Sequence, residues 1–195
     1  MDIAEFNFLR GSNVALVGGA DTYDESQLDG YDYVVRINNH WLRRRGRIDV
    51  LYHTRSLVNR IIDELPTTLR LVICVTSDPY NTHPRSRLES WCDKHQIPML
   101  MHWRTPCDVP NIYSIEEPPF YRVVMPLYRN DLKELYGNYN PFAGTMAYYI
   151  LKTCSNAKTL HCYGFDFYEN HPSWPKVGGH NAEIDKILMA DAEFL

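Results

Sequence analysis

No stretch of this sequence approaches the about 20 consecutive apolar residues that a membrane-spanning helix needs, so a bilayer span is not expected. An export signal is not expected either: residues 1–10 carry Asp2 and Glu5 and no apolar centre. Cysteine is sparse and unpaired in pattern. The five residues Cys74, Cys92, Cys107, Cys154 and Cys162 are odd in number and irregular in spacing, which excludes a disulfide framework and predicts free thiols in a reducing compartment. Cytoplasm, of a bacterium or of an infected host cell, is the expected location. His161 with Cys154 and Cys162 fits no zinc spacing, so no metal site is expected. Internal repeats and low-complexity tracts are missing. The formal net charge of -4 excludes a general positive field that would coat nucleic acid.

Apolar residues are plentiful. They make up 45% of 195 residues, and 14 Tyr, 7 Phe and 4 Trp supply large areas to bury. One globular domain spanning residues 1–195 is expected. Short β-rich runs at 13–17, 33–37, 49–53, 69–75, 99–102 and 158–164 read as strands. Residues 57–65, 86–95, 131–136, 143–153 and 180 onward read as helices, the one at 143–153 apolar nearly all round and therefore buried. The proline-rich stretch 105–126 reads as loops that shape an acceptor face. This alternation predicts an α/β, Rossmann-like fold, a mostly parallel sheet with helices on both faces. Ligands of such sheets bind beyond the carboxyl ends of the strands.

Three segments carry candidate chemistry. Val14-Ala15-Leu16-Val17-Gly18-Gly19 is a buried strand ending in two glycines, either an ordinary turn or a place where backbone approaches a ligand. The next strand ends in Arg36-Ile37-Asn38-Asn39, where an amide can read a base or ribose edge and Arg36 is either functional or paired structurally. Asn140-Pro141-Phe142-Ala143-Gly144-Thr145 opens the buried helix. Its N-terminus suits a phosphate, with Thr145 adding a hydroxyl, or else it merely starts a core helix. Last, Tyr163-Gly164-Phe165-Asp166-Phe167-Tyr168-Glu169-Asn170 precedes Gly178-Gly179-His180 at the mouth of the final helix. The positive end of that helix disfavours imidazolium, so His180 is either a neutral general base or a capping histidine. Glu183 and Asp185 fall in the first turn, complementing the dipole.

Taken together and in this order, these segments resemble the motifs of the animal-type sialyltransferases, glycosyltransferase family 29. Residues 14–19 with Arg36 to Asn38 are similar to the long motif; Pro141 to Gly144, Cys154 and Tyr163 to Phe165 to the short motif. Phe167 to Asn170 resembles the third motif, and His180 with Asp185 the very short His-x4-Glu motif. The resemblance spans residues 14 to 185. It implies a sialyltransferase-like variant of the Rossmann-like fold and an inverting transfer of a sugar, of sialic-acid type or related, from a CMP-activated donor to an acceptor hydroxyl. No metal or other cofactor is implied, and the sequence has no Asp-x-Asp motif. By position, His180 would be the base, and Gly18, Gly19, Asn38, Gly144, Thr145, Tyr168 and Glu169 would line the donor site. Trp174 and His171 would face acceptor or sugar.

The departures are specific. Gly19 stands where the family has Asn, and Phe142-Ala143 where it has Ser-Thr. Asp166 takes the position of a histidine that stabilises the leaving phosphate, so His171 is the alternative for that task. Val14 replaces a cysteine, which leaves Cys154 without its disulfide partner. Two other functions compete. The basic run Arg43, Arg44, Arg45 and Arg47 suits a phage-type enzyme that glycosylates modified DNA bases such as 5-hydroxymethylcytosine, although such runs are more often solvated loops. The altered short motif and Asp166 suit a non-catalytic module that binds nucleotide sugars. Trp41, Trp91, Trp103 and Trp174 either line a sugar-binding face or are core, and Trp174 is the first candidate for the sugar because it lies between Tyr168 and His180.

Overall fold

The computed structural model describes residues 3–38, 44–54, 62–76, 87–103, 111–114, 122–125, 141–167, 169 and 181–195. The strands are β1 (Asn13–Val17), β2 (Tyr33–Ile37), β3 (Val50–Thr54), β4 (Leu71–Thr76), β5 (Met99–Trp103), β6 (Asn111–Ser114), β7 (Arg122–Met125), β8 (Thr159–Tyr163) and β9 (Glu193–Phe194). The α-helices are α1 (Arg87–His95), α2 (Ala143–Cys154) and α3 (Ala182–Leu188). Strands β1 to β5 and β8, and helices α1 and α2, stand where the sequence pattern expects them, within two residues at each end.

All nine strands form one sheet in the order β6-β7-β5-β4-β3-β2-β1-β8-β9. Every pairing is parallel except the antiparallel β6–β7 pair. The architecture is α/β and Rossmann-like. Both sheet faces are buried, so its strands are continuous apolar runs rather than alternating ones. Val14, Leu16, Val35, Ile37, Val50, Tyr52, Leu71, Ile73 and Leu100 point to one face and pack under α2 and the 3-10 turn at Ala4–Leu9. Their neighbours Leu51, Val72, Cys74 and Met101 point to the other face, against Leu88 and Cys92 of α1. There Ala15, Val17 and Val34 are covered by Tyr23 and Leu28 from the β1–β2 connection. That connection carries a 3-10 turn, Glu25–Leu28, capped by Asp24, whose carboxylate accepts from Ser26 N.

Two expectations need correction. The stretch 105–126 contains β6 and β7, so part of it is sheet and extends the β5 side. The final helix ends at Leu188, and β9 then pairs with β8 at the opposite edge of the sheet. The helix expected at 131–136 and most of that at 57–65 lie outside the described residues; Ile62–Glu64 forms a 3-10 turn. Among the described residues no helix is long and apolar enough to cross a membrane. The thiols of Cys74, Cys92, Cys154 and Cys162 are free and buried. Burial pushes Cys154 up to about 11 and Cys92 and Cys162 up to about 12, so these thiols stay protonated.

On the α2 face, the Tyr52 hydroxyl lies 2.7 Å from His102 Nδ1. Burial depresses the His102 pKa from 6.5 to about 3. The folded value lies below the unfolded one, so the unfolded chain takes up the proton first. The stabilising contribution is complete above pH 6.5 and is lost as pH falls toward 3. In His102→Gln, urea-unfolding free energies measured across this range should fall less steeply with acidification than in the parent.

Candidate functional site

The chain runs outward from β1 to β5 and then returns to place β8 on the other flank of β1. The strand order therefore reverses between β1 and β8, the place where open α/β sheets form their ligand crevice. Val17 is in register with Tyr163, so the two strands end side by side. Beyond them the backbones are joined by hydrogen bonds: Gly18 N donates to Tyr163 O at 2.8 Å, and Ala20 N to Gly164 O at 3.0 Å.

This seam requires glycine on both sides. A Cβ on Gly18 would collide with the carbonyl oxygen of Gly164 and come within 3.2 Å of the Phe165 ring. Gly164 has φ +67°, and a Cβ there would stand 2.8 Å from Ala20 O. Phe165 is the next residue, and its ring lies against α2. A Cβ on Gly144 would be 2.5 Å from Phe165 Cε1 and 3.4 Å from Ile37 Cδ1. The first turn of α2 thus meets the ends of β1, β2 and β8 through one aromatic ring. Asn38 follows Ile37 with φ +52°, a left-handed conformation that asparagine tolerates, and its N–H donates to Tyr52 O at 2.7 Å. Gly19 sits half-buried between Gly18 and Ala20.

The N-terminus of α2 already has a side-chain partner from α3. Phe142 provides no side-chain cap, and its N–H donates to Asp185 Oδ1 at 3.1 Å. Asp185 is fully buried on α3, and its side-chain oxygen satisfies a backbone N–H that the start of α2 leaves without an intrahelical partner. Thr145, 2% exposed, turns its hydroxyl to Met189 Sδ at 3.5 Å. It packs against Met189, the residue that follows α3. Asn181 caps α3, its side chain accepting from Glu183 N at 3.0 Å. Glu169 is exposed and ion-paired with Lys186 of α3 at 3.0 Å. Tyr168, His171, Trp174 and His180 lie outside the described residues, as do Arg43 and Trp41. Trp91 packs beside His95 on α1, at the opposite face of the sheet from α2.

The β1–β2 connection is held by arginines. Arg36, 2% exposed, gives Nη2 to Glu25 Oε2 at 2.5 Å, Nη1 to the Tyr23 hydroxyl at 3.1 Å and Nε to Arg47 O at 2.7 Å. A Cβ on Gly46 would strike this pair. Burial raises the Tyr23 pKa, and Arg44 lies over its ring at 4.4 Å. In the basic run, Arg44 pairs with Asp21 at 2.9 Å, Arg45 with Glu64 at 3.2 Å and Arg47 with Asp49 at 2.9 Å. Each described arginine of that run therefore has a carboxylate partner.

A further polar chain escaped the sequence reading. The Tyr31 hydroxyl lies 2.5 Å from His161 Nδ1 and 2.9 Å from the Tyr163 hydroxyl, and His161 Nε2 is 2.9 Å from Glu193. Tyr31, the β8 pair His161 and Tyr163, and Glu193 come from three separate parts of the chain. Among the described residues no three His, Cys, Asp or Glu side chains gather as a metal site. No protein-family model and no curated protein matches the chain.

The seam makes a graded prediction. Gly18→Ala sets a methyl against immovable backbone and should cost roughly 1–3 kcal/mol in urea unfolding. Gly144→Ala, opposed by the Phe165 side chain, should cost less. Gly30→Ala, where the space is open, should stay within about 0.5 kcal/mol of the parent.

Proposed function

We propose that this chain is an inverting, metal-independent glycosyltransferase of the sialyltransferase type, moving a sugar from a CMP-activated donor to an acceptor hydroxyl. The observation that carries the reading is the convergence at the β1–β8 switch point. Segments matched to three of the four motifs touch there, Gly18 and Gly144 through Phe165 and Phe142 through Asp185, and Glu169 of the third-motif segment pairs with Lys186, next to Asp185 in the chain. Motif order alone did not require this. An arrangement of the same segments around unrelated parts of the sheet would have been equally compatible with the sequence.

In this reading the nucleotide lies across the glycine turn, with Asn38 toward the base and the first turn of α2 toward the sugar side. His180, the residue before the cap of α3, takes the proton of the acceptor hydroxyl. The hydroxyl oxygen attacks the anomeric carbon, and CMP leaves with the electrons of the broken bond. The sugar is of sialic-acid type or a related one, and the acceptor is a glycan or other hydroxyl compound. A binding module without turnover is the second reading. Phe142-Ala143 in place of two hydroxyl residues and Asp166 in place of a histidine favour it, because they remove groups that the transfer step would use.

Millimolar CMP should raise the melting temperature, and incubation with CMP-sialic acid should release CMP. His180→Ala should reduce that release by roughly a hundredfold or more while CMP still stabilises the fold. Stabilisation by CMP with no turnover in the parent would leave the binding module; absence of any stabilisation would sink the CMP reading.

A further inference from the structure

The loop that carries Phe165 is not held by β8 alone. Phe194, on the last strand β9, places its ring 6.0 Å from that of Phe165 and 5.5 Å, edge-on, from that of Phe167. Phe167 is in the left-handed region at φ +47°, a costly state for an aromatic residue, so contacts around it must hold it there. Lys186 Nζ lies 5.9 Å from the Phe167 ring and also pairs with Glu169. The strand that presents Phe194 is fastened to β8 on both sides of it. Glu193 meets His161 at 2.9 Å, and Leu195 N donates to Cys162 O at 3.1 Å.

The geometry points to Phe194 as a positioning residue for the candidate site. Its ring braces Phe165 and Phe167 from outside the seam, and Phe165 in turn sets the spacing between the glycine turn and the first turn of α2. Phe194 is itself 42% exposed, so its truncation opens no sealed core cavity. What it supplies is the place of the 164–167 loop. The inference rests on the reading of the switch point as a nucleotide site for its ligand, and on the packing alone for its effect on the loop.

Two measurements separate these. Amide hydrogen exchange in Phe194→Ala reads the loop directly. Exchange at Ala20, whose N–H donates to Gly164 O, should accelerate roughly tenfold as the seam opens locally. Exchange at Val72, whose N–H donates to Pro98 O in the far half of the sheet, should not change. Calorimetric titration with CMP, well below the melting temperature, should show affinity weakened roughly tenfold, in line with the sensitivity of bound geometry to small displacements. Phe194→Tyr, which keeps the ring, should restore both. Ile187→Ala, which removes a comparably exposed apolar side chain at 43% exposure from α3, should alter neither. Unchanged exchange at Ala20 overturns the inference. Parallel acceleration at Ala20 and Val72 overturns it too, by making Phe194 a contributor to global stability only. Unchanged CMP affinity in Phe194→Ala beside a binding parent overturns it as well. A parent that binds no CMP sinks the proposed function instead, and the exchange result then decides the role of Phe194 by itself.

Discussion

Two stretches of backbone pass at touching distance where β1 and β8 end, and neither can carry a side chain at the point of contact. Gly18 and Gly164 meet there, joined through Tyr163 O and Gly164 O. The contact puts Phe165 where its ring fills the space above Gly144, and so it sets how close α2 comes to the sheet. Interiors are packed too densely for a methyl group to be absorbed at such a point without displacement. The first turn of α2 also lies beside Ile37 at the end of β2, and Phe142 N donates to Asp185 at the start of that helix.

Charge is organised around the same end of the sheet. Arg36 is almost fully buried, and such a cation is tolerated only when its donors are satisfied. Glu25, Tyr23 and the carbonyl of Arg47 satisfy them. The pair locks the β1–β2 connection against β2, and Gly46 leaves room for it. The arginines after β2 extend this arrangement toward Asp21, Glu64 and Asp49. In the described part of that run, what looks like a basic patch in one dimension is a set of ion pairs in three. At α2 a side chain from another helix, Asp185, takes the place a local cap would occupy.

Much of the fold was legible because parallel strands buried on both faces must be apolar at every position. Runs such as Val14 to Val17 and Leu71 to Val75 leave little choice of structure. The misreadings share one cause. Strands β6 and β7 lie in a proline-rich stretch, and β9 is two residues long, so their pairing is decided by the neighbouring strand rather than by their own composition. At the site, Gly18 was legible as a close-approach position, although what approaches it is Phe165 and protein backbone, whereas Gly144 read as a small residue in a helix start and its neighbour is the Phe165 ring. Thr145 was legible as a helix-start hydroxyl, but its direction depends on Met189, which lies 44 residues away in the chain. The chain that joins Tyr31 and Glu193 to His161 and Tyr163 of β8 had no sequence signal, because these three parts of the chain meet only in space.

By itself the sequence determined the class of fold, the order of its main strands and helices, and the glycine positions where backbone must pass closely. Those depend on local periodicity and on the steric demands of single residues, which are written residue by residue. Tertiary structure decided which groups share a neighbourhood: that Asp185 faces the start of α2, that Arg36 belongs to Glu25 and that Phe194 supports Phe165. Such pairings arise from the register and crossing of elements far apart in the chain, and neither propensity nor spacing along one dimension encodes them.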